Sequence, residues 1–340
     1  MTTASAAARL KSEGLPVHRF ANILVCSRTG SPTPAALRRL DDLAAKSGAS
    51  IELMDVIEPF PWYTRLMLPR SKELQHLQAE HEAARLDAFA AAMKRKEHKV
   101  ATKVASGRPG LELIKEVLRG RYDLLVKVAE PDHATSFGST DMRLLRNCPC
   151  PVLLLHPETQ DKAFQKILVA VDPTPEPDIL DELHLREEIP PEAHALNHTL
   201  VRLATALAEM EGAELHLVHA WSAPGEDLLR VEGRVAHTEV DTYVTSLWEE
   251  HRRALDRLLA ECPIGQARRH VHLIKGQPAD VLTEFARTNG VDLMVMGTVV
   301  RTGIPGLLIG NTAETVFHRV KCSILAVKPE TFVSPVTLDG

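Results

Sequence analysis

The chain repeats itself, and that constrains its fold more than any other feature. Asn22-Ile-Leu-Val-Cys-Ser-Arg28 matches Lys166-Ile-Leu-Val-Ala-Val-Asp172 at an offset of 144 residues. Gly48-Ala-Ser-Ile-Glu-Leu53 matches Gly212-Ala-Glu-Leu-His-Leu217 at 164, and Gly107-Arg-Pro109 matches Gly276-Gln-Pro278 at 169. Tyr122-Asp-Leu-Leu-Val126 matches Val291-Asp-Leu-Met-Val295, also at 169. Gly138 and Pro151-Val-Leu-Leu-Leu155 match Gly310 and Ser323-Ile-Leu-Ala-Val327 at 172. Five blocks in one order mean a duplication, and a repeat has to be found before motifs are read. The drift in offset locates the divergence: 20 residues gained in the acidic, proline-rich stretch 173–192, and three gained in a glycine-rich loop.

Within each copy, short apolar runs behave like buried parallel strands: 23–26, 51–56, 100–105, 124–128 and 152–155 in the first. Helical patterns alternate with them, at 34–46, 74–94 and 110–118, then at 193–211, 239–261, 278–288 and 312–319 in the second copy. Such alternation predicts an α/β fold in each copy, with a five-stranded parallel sheet flanked by helices. Residues 20–158 and 164–330 are read as the two domains, 1–19 as a leader and 331–340 as a tail. At 340 residues the chain has the length for both.

A doubly wound sheet binds ligands beyond the carboxyl ends of its strands, where strand order reverses. In the second copy the segment after the fourth strand, Met296 to Glu314, carries Gly297, Gly303, Gly306 and Gly310. Backbone N–H groups running into a helix N-terminus form an anion site. Asn311 or Thr312 is expected to cap that helix, with Glu314 closing a partial capping box. The bland alternative is a loose loop before a well-capped helix. Strand one ends in Val171-Asp172-Pro173, and a carboxylate there can accept hydrogen bonds from a ribose or an adenine amino group. Asp before Pro is also a common turn starter. In the first copy the matching loop is three residues shorter, Val128 stands at the Gly297 position, Glu130 and Asp132 would repel phosphate, and Arg28 replaces Asp172.

These residues resemble the universal stress protein family, whose nucleotide-binding members carry G-x2-G-x9-G-S/T after strand four and an Asp after strand one. The similarity is greatest to the tandem-domain, E-type members, through Gly297-Thr-Val-Val-Arg-Thr-Gly-Ile304 and Gly310-Asn-Thr-Ala-Glu314. The resemblance implies two Rossmann-like domains of the adenine nucleotide alpha hydrolase-like type and a bacterial stress-response role in the cytoplasm. It also implies ligand sensing without enzymatic turnover, slow ATPase activity being the lesser alternative. An ATP or adenine-nucleotide site is implied in the second domain alone. Carried over by position, Asp172 matches the family's Asp and Gly297 and Gly310 its first and last motif glycines, with Asn311 where Ser or Thr belongs; Val171, His219, Met296, Arg301, Gly303 and Thr312 complete the candidate set from their places at the strand ends and in the loop. Val300 stands where the second motif glycine belongs, and a β-branched side chain resists positive φ there. Homodimerisation through the last strands is a further implication, unless the duplication satisfies that contact within one chain.

Other features bound the function. A net charge of −5 excludes bulk nucleic-acid binding, and the chain has no long uncharged apolar run for a membrane helix. Five cysteines, few and odd in number, fit a reducing compartment, and Cys148-Pro-Cys150 reads as thiols at the entry of a buried strand. His194 and His198, with His184 upstream, have an i, i+4 spacing that suits metal, although solvated helix-start histidines are the plainer reading. His216 and His219 lie near the switch point, where His219 either touches a base or packs. The apolar segment Pro59-Phe-Pro-Trp62-Tyr63 through Leu68 lines a cavity for an apolar metabolite, forms a subunit contact, or folds over the core. No catalytic set is visible: there is neither a nucleophile elbow nor a P-loop.

Overall fold

The computed structural model describes residues 20–27, 33–67, 70–93, 99–128, 138–156, 163–173, 191–232, 235–262, 268–298 and 309–338. Contacts divide them into two compact units. The first holds the described residues up to 163 with 309 and 321–338; the second holds those of 164–298 and 310–320. Val300, Arg301, Gly303, Gly306, Arg28, Glu130, Asp132, Leu68 and His184 lie outside the described residues.

The first unit runs β1 (Asn22–Cys26), α1 (Pro34–Ser47), β2 (Ser50–Ile57), α2 (Trp62–Met67), α3 (Ser71–Ala92), β3 (Val100–Ser106), α4 (Pro109–Gly120), β4 (Leu124–Val128), α5 (Ser139–Asn147) and β5 (Val152–Leu155). The second runs β6 (Lys166–Ala170), α6 (Pro191–Glu211), β7 (Glu214–Trp221), α7 (Glu226–Glu232), α8 (His237–Glu261), β8 (Arg269–Lys275), α9 (Pro278–Asn289), β9 (Leu293–Gly297) and α10 (Asn311–Arg319). The final strand β10 (Ser323–Val327) belongs by its contacts to the first unit.

In the first unit the order is β3-β2-β1-β4-β5-β10, all parallel except the last pair. β10 runs antiparallel to β5, with Ile324 opposite Leu154 and Ala326 opposite Val152. An uncovered strand edge is a row of unpaired backbone groups, and β10 covers that of β5. The parallel sheet of the second unit has the order β9-β6-β7-β8. The central strands read as continuous apolar runs because helices cover both faces: Ile23, Leu24, Leu124, Leu125, Ile167, Leu168, Leu293 and Met294 are all fully buried. The sequence pattern did not anticipate the short helices α2 and α7.

Two repeated blocks acquire structural reasons. The Asp of the Tyr-Asp-Leu and Val-Asp-Leu blocks ties the start of the central strand to strand four. Asp123 accepts hydrogen bonds from the Ala21 and Asn22 amides at 2.7 and 3.0 Å, and Asp292 accepts from those of Gln165 and Lys166 at 2.8 and 2.9 Å. Burial raises the pKa of Asp123, and these amides partly offset it. The Gly-x-Pro blocks sit at the exit of the third strand of each copy, where Gly107 and Gly276 have φ of 154° and 150°. A Cβ there would lie 2.6 Å from Glu112 Cγ or 2.8 Å from Val281 Cγ2, so glycine is required on both counts.

Candidate functional site

The carboxyl ends of β6, β7 and β9 converge in the second unit, with the starts of α6 and α10 beside them. Val171 and Asp172 follow β6 directly. Asp172 is held by Asn197 of α6 through a reciprocal pair. Its amide donates to Asn197 Oδ1 and its carbonyl accepts from Asn197 Nδ2, both at 2.9 Å. The backbone is thus pinned while the Asp172 side chain stays 61% exposed. Asn197 is buried in the apolar stripe of α6, which continues through Leu200, Val201 and Ala204. A polar residue on such a stripe must find partners, and that was the available sequence signal for it.

His219, on β7, is buried. Its Nδ1 lies 3.2 Å from the Val171 carbonyl, which can only accept, so Nδ1 carries the proton. In the neutral ring Nε2 is then an acceptor, facing His251 Nδ1 of α8 at 2.9 Å. Asp172 Oδ1 is 3.9 Å from His219 Nδ1. Trp221 flanks the pair, its ring 5.8 Å from that of His251. His251 was not foreseen. It occupies a helix position one turn before the buried Leu255 and two before Leu258.

β9 brings Met296 and Gly297 to the same edge. A Cβ on Gly297 would meet Leu196 Cδ2 of α6 at 2.9 Å, so this glycine lets a helix approach the strand. Thr298 follows, buried, with its Oγ1 making no hydrogen bond. The Gly310 amide donates to the Thr298 carbonyl at 2.9 Å, which closes the base of the glycine-rich loop. The N-cap of α10 is Gly310 itself, without a side-chain cap. This corrects the expected capping by Asn311 or Thr312: both lie inside the first turn, and the cap position has no side chain to accept with. The predicted residues Val171, Asp172, His219, Met296, Gly297, Gly310, Asn311 and Thr312 therefore cluster at the strand ends and at the start of α10. Arg301 and Gly303 lie outside the described residues.

The same positions in the first unit are filled from within. Lys127 stands at the position of Met296 and Asp141 at that of Ala313. The two form an ion pair at 2.9 Å with both side chains 7% exposed. Asp141 Oδ2 also accepts from the Gly138 amide at 2.9 Å, so the start of α5 already holds a carboxylate. Asp55, at the position of His219, pairs with Arg85 at 2.6 Å. Arg85 also donates to the Ser27 carbonyl at 2.9 Å and to Glu82 at 2.6 Å.

Other flagged residues fall elsewhere. His216 points to the opposite face of β7, stacked on His270 with centroids 4.9 Å apart and with its Nδ1 3.2 Å from His272 Nε2. Cys148 and Cys150 are buried free thiols with sulfurs 3.6 Å apart. The Trp62 segment does not fold over the core, since Trp62 and Met67 are 77% and 79% exposed on α2. No described helix is long and apolar enough to cross a membrane.

Comparison with known proteins follows the same division. The universal stress protein family matches residues 19–156 and again 190–328. Universal stress protein E of Escherichia coli is 32% identical over 236 residues, 68% of this chain and 69% of that protein. Among solved structures, PA1789 of Pseudomonas aeruginosa, described as functionally unknown, superposes with a TM-score of 0.63 at 22% identity, over 92% of this chain and 93% of that one. A universal stress protein from Archaeoglobus fulgidus gives 0.57 at 16%, over 90% and 98%. The last two show the fold; the first two show descent. The chain belongs to the universal stress protein family and is a tandem protein of its E type, with two such domains.

Proposed function

We propose that the second domain binds ATP or another adenine nucleotide, and that the protein acts as a ligand sensor in the bacterial stress response, in the cytoplasm. One observation carries the reading. Where the first domain places Asp141 at the start of its last helix, the second has Ala313, and α10 begins without a side-chain cap beside the exposed carboxylate of Asp172. Amides at a helix start favour an anion. Asp172, on its pinned backbone, suits a ribose or an adenine amino group. Binding rather than turnover is favoured because the buried His219 is already engaged with Val171 and His251. Titration calorimetry of nucleotide-free full-length protein with ATP tests the proposal. Saturable binding is expected, weakened at least about tenfold, or about 1.4 kcal/mol, by Asp172→Ala. No heat at millimolar ATP would refute it.

A second reading is favoured by the exposure of Trp62, Tyr63 and Met67 on α2. Contiguous exposed apolar side chains mark ligand or partner surfaces. On this reading the first domain binds an apolar metabolite or a partner there. Native mass spectrometry of freshly purified protein separates the two readings: a co-purified apolar molecule, lost on Trp62→Ser, supports this one, and a bound nucleotide supports the first.

A further inference from the structure

We propose that the start of α6 and the end of α8 form a site for a divalent transition-metal ion, zinc by its ligand chemistry, held by His194, His198 and Glu261. Among the described residues this is the one group of three or more His, Cys, Asp or Glu side chains whose ligand atoms converge. All of those atoms lie within 4.8 Å of one another. Glu261 Oε2 is 2.8 Å from His198 Nε2 and 3.3 Å from His194 Nε2. The two imidazole rings, one helical turn apart, have centroids 4.6 Å apart. Zinc bound tetrahedrally at about 2.0–2.2 Å sets its ligand atoms roughly 3.4 Å from each other. The two histidine–carboxylate separations already straddle that spacing, and closing the widest separation takes side-chain shifts on the order of an ångström.

Two details distinguish a metal site from a surface ion pair. His198 Nε2 is buried and makes no hydrogen bond even though a carboxylate oxygen is 2.8 Å away. The contact is close but misdirected for an N–H, as expected of a nitrogen whose lone pair is aimed at a shared centre. The other nitrogen of the same ring, Nδ1, lies 3.3 Å from the sulfur of the buried Cys262. With Nδ1–H donating to that sulfur, Nε2 is left as the ligand atom. Fixing the tautomer through the far nitrogen is the usual outer-shell arrangement around a metal-bound histidine. Two imidazoles and a carboxylate suit zinc, cobalt, nickel or copper better than magnesium or calcium. His194 and Glu261 are 67% and 47% exposed, which gives the ion a path in and leaves a fourth position for water. The ion would cross-link the first turns of α6 to the end of α8, on either side of Asn197, the residue that pins Asp172.

Zinc titration of the metal-stripped full-length chain, followed by equilibrium dialysis and by thermal unfolding, tests the site. Cobalt substitution reports the geometry through the visible bands of a four-coordinate ion. One equivalent of zinc, a zinc-dependent rise in Tm and four-coordinate cobalt bands are expected. The His194→Ala/His198→Ala pair should lose all three. Glu261→Gln, which keeps shape and tests the same site without removing a ring, should weaken binding at least about tenfold, and Cys262→Ala roughly tenfold through the tautomer. His270→Ala/His272→Ala, in the other histidine cluster, should leave binding unchanged. The proposal is overturned if the wild type binds no zinc, if the His194/His198 variant retains its equivalent, or if the His270/His272 variant is the one that loses it.

Discussion

At the start of α5 the first domain holds Asp141, paired with Lys127 and accepting from the Gly138 amide; at the start of α10 the second holds Ala313, with Met296 at the position of Lys127. At the second strand the first domain has Asp55, Arg85 and Glu82 joined as an ion network, and the second has His219 against His251. Both domains offer the same donors and acceptors from the fold: amides at a helix start and a carbonyl at the end of the central strand. The chain satisfies the carbonyl in both domains, but meets a helix-start amide with a side chain, Asp141, in the first. Arg85 donates to the Ser27 carbonyl where His219 donates to that of Val171. Among the described residues, the helix start of the first cleft is thus occupied by a carboxylate, whereas the second keeps a helix start without a side-chain cap and an exposed carboxylate.

The largest test of this contrast is Asp141→Ala. Removing one partner of a buried pair leaves Lys127 uncompensated, and a loss of about 3–5 kcal/mol in urea unfolding is expected. Lys127→Met with Asp141→Ala should recover most of it, because a buried pair replaced by apolar residues is often close to neutral. A double variant as unstable as the single one would show that Asp141 acts mainly as the cap on Gly138.

The converse transplant has a smaller expected effect. Met296→Lys with Ala313→Asp installs the internal anion of the first domain in the second. If the start of α10 receives phosphate, ATP affinity should fall at least about tenfold in calorimetry, about 1.4 kcal/mol, with the urea midpoint little changed. Unaltered affinity would place the phosphates elsewhere and break the comparison.

How much of this was legible beforehand depended on whether a feature is carried by the order of residues or by their meeting in space. The strands of both copies and the clustering of Asp172, His219, Gly297 and Gly310 were readable because strand–helix alternation fixes which ends of the strands come together. The Lys127–Asp141 and Asp55–Arg85 pairs were not, because 14 and 30 positions separate partners that only the crossovers bring together. Asn197 and His251 were hidden for a related reason: each is one polar residue on an otherwise apolar helical stripe, and its partner lies on another element. Gly297 reads as a motif glycine, yet its missing Cβ is accounted for by Leu196. The place of Trp62 stayed open in the sequence because an aromatic cluster looks like core until its helix is seen on the surface.

The smallest effect separates the outer faces of the two second strands. The second domain stacks His216 on His270 and beside His272, whereas the first has Glu52 at the position of His216, hydrogen-bonded by the Tyr122 hydroxyl. Burial, and after it the neighbouring histidines, pushes the His216 and His272 imidazoles below their ordinary range; Glu214, 3.9 Å from His216 Nε2, opposes this and Lys166 adds to it. A histidine with a lowered folded pKa binds its proton less readily in the native state than in the unfolded chain. Its contribution to stability is present above the unfolded value of about 6.5 and is lost as pH falls through the folded values. The urea midpoint should therefore decline as pH drops below about 6.5, and His216→Gln with His272→Gln should flatten that decline without altering the midpoint near neutrality. The Tyr122 hydroxyl does not titrate in this window, since burial and then Glu52 raise it above its usual range. A slope that survives the His216/His272 variant would thus point away from this stack, and away from the Tyr122 hydroxyl as well.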